Sequence, residues 1–147
     1  MREETREAVS TSGHGQAGAT PPSDAVVLVV DDDAAVRALL QEALCLYGYR
    51  VVTAATAFEA EAIRRHLGPA GLRLVILDLD LSPDPEALAG YALYRRWAAR
   101  HPALSFLLVS GNPESQALPA VRRGQVPFLA KPFTLSELLS AICTATR

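Results

Sequence analysis

The sequence predicts an α/β fold, an open doubly wound sheet of five parallel strands in a (βα)5 order. Three observations predict it. From Ala25 onward, short apolar runs alternate with helical patterns. Three of those runs are uninterrupted, as strands covered on both faces by helices require. Several runs end in polar residues that suit one shared site, and open parallel sheets bind ligands at the carboxyl ends of their strands.

The elements follow in order. Val26-Val27-Leu28-Val29-Val30 reads as the first strand. Val36, Leu39, Leu40, Ala43, Leu44 and Tyr47 then make a helical stripe that Gly48 stops. Arg50-Val51-Val52-Thr53-Ala54 is a weaker strand, placed near a sheet edge. Thr56 and Glu59 make a capping-box pattern for a second helix with Phe58, Ile63 and Leu67, ended by Gly68-Pro69. Leu74-Val75-Ile76-Leu77 is the third strand. A third helix is expected over Glu86 to Arg100, with Tyr91, Tyr94, Trp97 and Ala98 on one side. Phe106-Leu107-Leu108-Val109 follows as a strand, then a weak helix near Glu114 to Arg123, interrupted by Pro119. Val126-Pro127-Phe128-Leu129 is the fifth strand, an edge strand because proline removes a ladder donor. Thr134 and Glu137 cap a last helix carrying Leu135, Leu138, Leu139 and Ile142.

Residues 1–24 read differently. They are rich in Glu, Arg, Ser, Thr, Gly and Pro, with Val9 the one large aliphatic beyond Met1. Such a segment buries too little apolar surface to offset its ordering entropy, so a disordered leader is expected before a single domain over 25–147. The whole chain has 147 residues, is 50% hydrophobic and 20% charged, and carries a formal charge of −2. That balance excludes wholesale disorder and a basic nucleic-acid surface carried by the domain as a whole. No apolar run approaches the roughly 18 residues of a membrane span, and no signal-peptide core is present. A soluble, cytoplasmic protein is the expectation. Cys45 and Cys143 form neither a disulfide framework nor a zinc motif, and are expected to be unpaired packing thiols.

The strand ends carry the chemistry. The first run ends in Asp31-Asp32-Asp33, the third in Asp78 and the fourth in Ser110, while Lys131 follows the fifth. Carboxylates brought together repel unless a cation intervenes, and Mg²⁺ suits oxygen ligands while leaving room for phosphate oxygens. Phosphoryl transfer to a carboxylate needs its spreading charge stabilised in place, and a cation, an ammonium and a hydroxyl supply that. Asp78 is the best-placed acceptor because it directly follows the apolar run; Asp80 is its nearest rival. Asp33 reads instead as a helix cap.

These residues resemble the response-regulator receiver domains, a CheY-like, flavodoxin-like family. Val-Leu-Val-Val-Asp-Asp-Asp (27 to 33) with Arg37 is similar to its first strand and helix start. Leu74 to Leu81 looks like its phosphoacceptor strand, and Leu108-Val109-Ser110-Gly111 like its switch strand. Gly124 to Phe133 resembles its fifth-strand signature, and the likeness covers about Ala25 to Thr146. The resemblance implies that Asp78 takes a phosphoryl group from a histidine kinase or histidine phosphotransfer protein. It implies Mg²⁺ held by Asp31, Asp32, Asp78 and the Asp80 backbone carbonyl. Lys131 would pair with the phosphoryl oxygens, its bond to Pro132 would be cis, and Ser110 and Phe128 would act as switch residues. Output would pass through the fourth helix, fifth strand and fifth helix to a downstream protein. The module would switch binding in a phosphorelay, and would not be a turnover enzyme. No output domain follows Arg147, so a stand-alone module is expected, with no direct nucleic-acid or membrane contact.

One departure sits beside the site. Where the family commonly has proline four residues after the acceptor, this chain has Ser82, then Pro83, with Gly90 delayed by about four residues in a longer loop, Ser82-Pro83-Asp84-Pro85-Glu86. Two other readings stand against the first. Asp78-Leu79-Asp80, Ser110 and Lys131 also resemble haloacid-dehalogenase-type phosphatase motifs, although that family puts its paired acids near the chain start. A receiver-like interaction module that no longer accepts phosphate is the third. His14, His66 and His101 show no mutual spacing for a metal or relay site, and the arginine pairs Arg64-Arg65, Arg95-Arg96 and Arg122-Arg123 read as solvated helix faces.

Overall fold

The computed structural model describes residues 26–68, 70–81 and 89–147. The expected leader, Pro69, the loop Ser82-Pro83-Asp84-Pro85-Glu86 and the expected start of the third helix at Glu86 lie outside these residues. The described elements are β1 (Val26–Val30), α1 (Ala34–Leu46), β2 (Arg50–Ala54), α2 (Ala57–Leu67), β3 (Leu72–Asp78), α3 (Ala89–Arg100), β4 (Ser105–Ser110), α4 (Pro119–Arg122), β5 (Phe128–Ala130) and α5 (Leu135–Ala145). The strands form one sheet in the order β2-β1-β3-β4-β5, all parallel. The doubly wound five-stranded fold expected from the sequence is therefore the fold observed, with β2 and β5 at the edges.

Strand alternation splits the core into two layers. Val26, Leu28 and Val30 of β1 face one layer, with Ala60 of α2 and Leu93 and Trp97 of α3. Val27 and Val29 face the other, with Leu40 and Leu44 of α1 and Leu138 and Ile142 of α5. Burial on both faces is what makes β1 an unbroken apolar run, since no position of it meets water. Tyr91, Tyr94 and Trp97 are buried at the spacing of a core stripe, and Tyr94 meets Phe106 edge-on with ring centroids 5.0 Å apart.

The caps are local. Asp33 accepts from the Ala35 and Val36 amides and starts α1. Thr134 and Glu137 close a full capping box on α5. At α2 the box is half made: Thr56 accepts from the Glu59 amide, but the Glu59 carboxylate reaches the Ala55 amide instead.

Other expectations need correction. Leu39, Tyr47 and Phe58 are exposed, not core. Leu39 lies one residue, about 100°, around the helix from buried Leu40. Tyr47 lies past the end of α1, where Gly48 turns the chain at φ 89° and Tyr49 takes the buried place. Phe58 sits across α2 from buried Ala60. Leu135, in the first turn of α5, is also exposed. Cys45 and Cys143 are free but exposed, so they do not pack in the core. The weak fourth helix is two pieces, a 3-10 turn over Pro113–Ala117 and a four-residue α4 begun by Pro119. Proline there lacks a donor that the first turn does not need.

Gly90 ties α3 to the end of β3. A Cβ at this position would stand 2.5 Å from the Asp78 carbonyl oxygen and 2.9 Å from the Leu79 Cα. Helix propensity alone favours alanine over glycine by up to about 1 kcal/mol. The close backbone approach reverses that sign: Gly90→Ala is expected to destabilise the protein by about 1–3 kcal/mol, read as a lower urea midpoint. An unchanged or raised midpoint would show that α3 can move off β3 freely.

Candidate functional site

Register assembles the site. Val30 pairs with Leu77, so the next residues, Asp31 and Asp78, leave adjacent strands side by side. Asp78 pairs with Val109, which puts Ser110 one step further, and Ser110 pairs with Ala130, which puts Lys131 next. The crevice between β1 and β3 is also where the strand order reverses, the place where open α/β sheets bind ligands.

The side chains converge there. The Lys131 ammonium lies 3.0 Å from Asp31 Oδ2 and 3.3 Å from Asp78 Oδ2. Carboxylate oxygens of Asp31, Asp32 and Asp78 all lie within 4.8 Å of one another. Asp31 and Asp78 are buried, whereas Asp32 is exposed. Backbone donors fix the acids: the Asp33 amide donates to Asp31 Oδ1, and the Asp80 amide to Asp78 Oδ1, each at 2.9 Å. Arg37, on the first turns of α1, donates to the Asp31 carbonyl at 2.7 Å. The Lys131–Pro132 peptide is cis.

Ser110 and Asp80 sit differently from the other site residues. The Ser110 hydroxyl lies 3.1 Å from both carboxylate oxygens of Asp80 and 2.8 Å from Ser115 Oγ. The Asn112 amide donates to Ser110 Oγ, and the Gly111 amide to Asp80 Oδ2. The sequence marked Asp80 as the rival acceptor and as a backbone-carbonyl ligand, but pointed neither to its carboxylate as the partner of Ser110 nor to Ser115. The Asn112-Pro113 helix start was a usable signal, because it brings Ser115 back over Ser110. Phe128 is half-buried on β5, packed against the α2–α3 layer.

The electrostatics are those of a negative pocket only partly neutralised. Burial above all, joined by the Asp31 and Asp80 charges, outweighs the Asp80 amide and Lys131 and pushes the Asp78 carboxyl up to about 6. Burial works against the Lys131 ammonium, but its bond to Asp31 and the charges of Asp78 and Asp31 outweigh this and hold its pKa above the ordinary lysine value. Three carboxylates cluster here, and the one ammonium bridges two of them, Asp31 and Asp78. A hard divalent cation, which takes oxygen ligands and tolerates open positions, fits this donor set.

Comparisons with known proteins agree with the geometry. Residues 27–143 match the family described as response regulator receiver domain. The chain is 36% identical over 124 residues to the KDP operon transcriptional regulatory protein KdpE of Escherichia coli K12, covering 82% of this chain and 51% of that protein. It is 36% identical over 116 residues to the transcriptional regulatory protein PmrA of Pectobacterium parmentieri, covering 79% of this chain and 50% of the relative. The crystal structure of the receiver domain of NtrX from Brucella abortus superposes with a TM-score of 0.68 at 30% identity, covering 82% of this chain and 97% of that one. The chain thus spans about half the length of the curated relatives it matches. Among the described residues no helix is long and apolar enough to cross a membrane.

The raised Asp78 pKa links stability to pH. Between about 4 and about 6 the folded protein keeps a proton on Asp78 that the unfolded chain has released. The contribution is fully present below about 4 and is lost as pH rises through about 6. Asp78→Asn removes the charge while keeping the shape. In metal-free buffer at pH 7.5 this variant is expected to be more stable than the parent by on the order of 2 kcal/mol, and the gap should close toward pH 4. Urea denaturation of both proteins across that range checks it; a variant less stable at pH 7.5 would contradict it.

Proposed function

This chain belongs to the response-regulator receiver domain family, and on that premise we propose that Asp78 is its phosphoacceptor. Receiver domains are phosphorylated by histidine kinases, and a histidine kinase or histidine phosphotransfer protein is the donor assigned here. The observation that carries the reading is Lys131, whose ammonium stands within 3.0 Å of Asp31 and 3.3 Å of Asp78 at the strand-order reversal.

The chemistry follows from the donor set. A carboxylate oxygen of Asp78 attacks the phosphorus, the bond from phosphorus to the donor's imidazole nitrogen breaks, and the leaving imidazole takes up a proton. Asp78 is mostly ionised at neutral pH and available as nucleophile, because its pKa of about 6 lies below 7. Asp31, Asp32 and Asp78, with the Asp80 carbonyl, would hold Mg²⁺, which neutralises the acids and the phosphoryl oxygens. Lys131 stays charged and faces the acceptor, so it compensates the charge that develops on the transferred group. Water hydrolysing the acyl phosphate returns the carboxylate. The module acts by its state, not by turnover: added charge at the rim rebalances a two-state surface that a partner protein reads. The 3-10 turn, tied to Ser110 through Ser115, and α4 after it are the surface through which that change would pass.

Family membership displaces the haloacid-dehalogenase-type reading, whose acids occupy a different chain order. The interaction-only reading becomes an outcome of the test. Incubation with Mg²⁺ and a small phosphodonor such as acetyl phosphate is expected to give an alkali-labile label on the protein, lost on chelation and absent in Asp78→Asn. Lys131→Gln is expected to slow labelling by about 10²-fold, the typical effect of removing one transition-state donor. Full labelling of Asp78→Asn would overturn the assignment, and an unlabelled parent protein would leave a binding module without phosphate chemistry.

A further inference from the structure

We infer that Asp80 is a positioning residue whose carboxylate latches the Ser110 hydroxyl away from Asp78 and so sets how tightly the site accepts a phosphoryl group. This rests on the phosphoacceptor reading above.

The hydroxyl of Ser110 has one proton and two lone pairs. Its four short contacts account for all of them: the Asn112 amide donates to it, Ser115 shares a hydrogen bond with it, and Asp80 offers two acceptor oxygens. A carboxylate is a stronger acceptor than a neutral hydroxyl, so the Ser110 proton points to Asp80 and Ser115 donates to Ser110. None of these bonds goes to Asp78. The Ser110–Ser115 end of the network is shielded, with Ser110 1% and Ser115 7% exposed, while Asp80 is half-buried.

A phosphoryl oxygen on Asp78 can receive the Ser110 proton only after the bond to Asp80 breaks. Resting and occupied states therefore compete for one hydrogen, and both acceptors are anionic. Asp80 is tied to both sides of that competition. Its amide donates to Asp78 Oδ1, while its carboxylate also accepts from the Gly111 amide. Ser115 donates to the same oxygen, so a turn of the Ser110 hydroxyl away from Asp80 shifts that bond too, which connects the site directly to the 3-10 turn over Pro113–Ala117.

Beryllofluoride, a phosphoryl mimic, tests this at saturating Mg²⁺ by titration with NMR detection. Asp80→Ala removes the latch and is expected to bind beryllofluoride about tenfold more tightly, the scale of one charge-assisted hydrogen bond. Asp80→Asn keeps a neutral acceptor of the same shape and is expected to fall between parent and alanine variant. In the parent, the Gly111 and Asn112 amide resonances should shift in step with occupancy, because both amides donate into the latch. Equal affinities for the parent and both variants overturn the latch. So does an asparagine variant equal to the alanine variant, which would leave only the repulsion of the Asp80 charge. A parent protein that ignores beryllofluoride overturns the phosphoacceptor reading itself, a result distinct from equal affinities.

Discussion

Everything at this site depends on two like charges held side by side by backbone pairing. Val30 opposite Leu77 leaves Asp31 and Asp78 no choice but to emerge together. Both strands are pinned by apolar side chains buried on two faces, so the acids cannot separate without disrupting the core. The resulting repulsion is relieved in part by Lys131, delivered from the far edge of the site by the β4–β5 register. What remains is a standing electrostatic demand for positive charge. That demand costs stability in the free protein, and in the proposed phosphoacceptor it would become affinity for a cation and its bound phosphate oxygens.

The core and the rim were legible in the sequence for different reasons. Double-sided burial writes itself as unbroken apolar runs, which fixed β1, β3 and β4 and marked β2 and β5 as the weaker edges. Parallel pairing then makes the first polar residue after each run a candidate for one shared rim, so Asp31, Asp78, Ser110 and Lys131 could be gathered without coordinates. Caps were readable where the signal is local, as at Asp33 and at Thr134 with Glu137. What failed depended on helix phase and length. One position of rotation puts Leu39 in solvent beside buried Leu40, while the interruption expected at Pro119 does divide the fourth helical region, its first piece being a 3-10 turn that periodicity does not distinguish from α-helix. The Asp80–Ser110–Ser115 network was not legible, because it depends on which way three short side chains turn.

Rigidity and responsiveness are divided between neighbouring parts. Asp31 and Asp78 are fixed by backbone amides and by the strands beneath them. The Ser110 hydroxyl also accepts from a backbone amide, that of Asn112, but its own proton goes to the Asp80 side chain and can be exchanged without moving a strand. Beyond it lies a short 3-10 turn and one turn of helix, with two buried residues between them, Ser115 and Ala120, against five in α3. A charge placed on the fixed half can therefore be felt in the adjustable half.

The most direct test of the converging pocket is paramagnetic. Mn²⁺, which takes the same oxygen ligands as Mg²⁺, should broaden the amide resonances of Asp31 to Asp33 and of Asp78 to Asp80 before any others. Excess Mg²⁺ should restore them. Broadening centred on another acidic surface, or none at millimolar Mn²⁺, would contradict a single cation pocket at this end of the sheet.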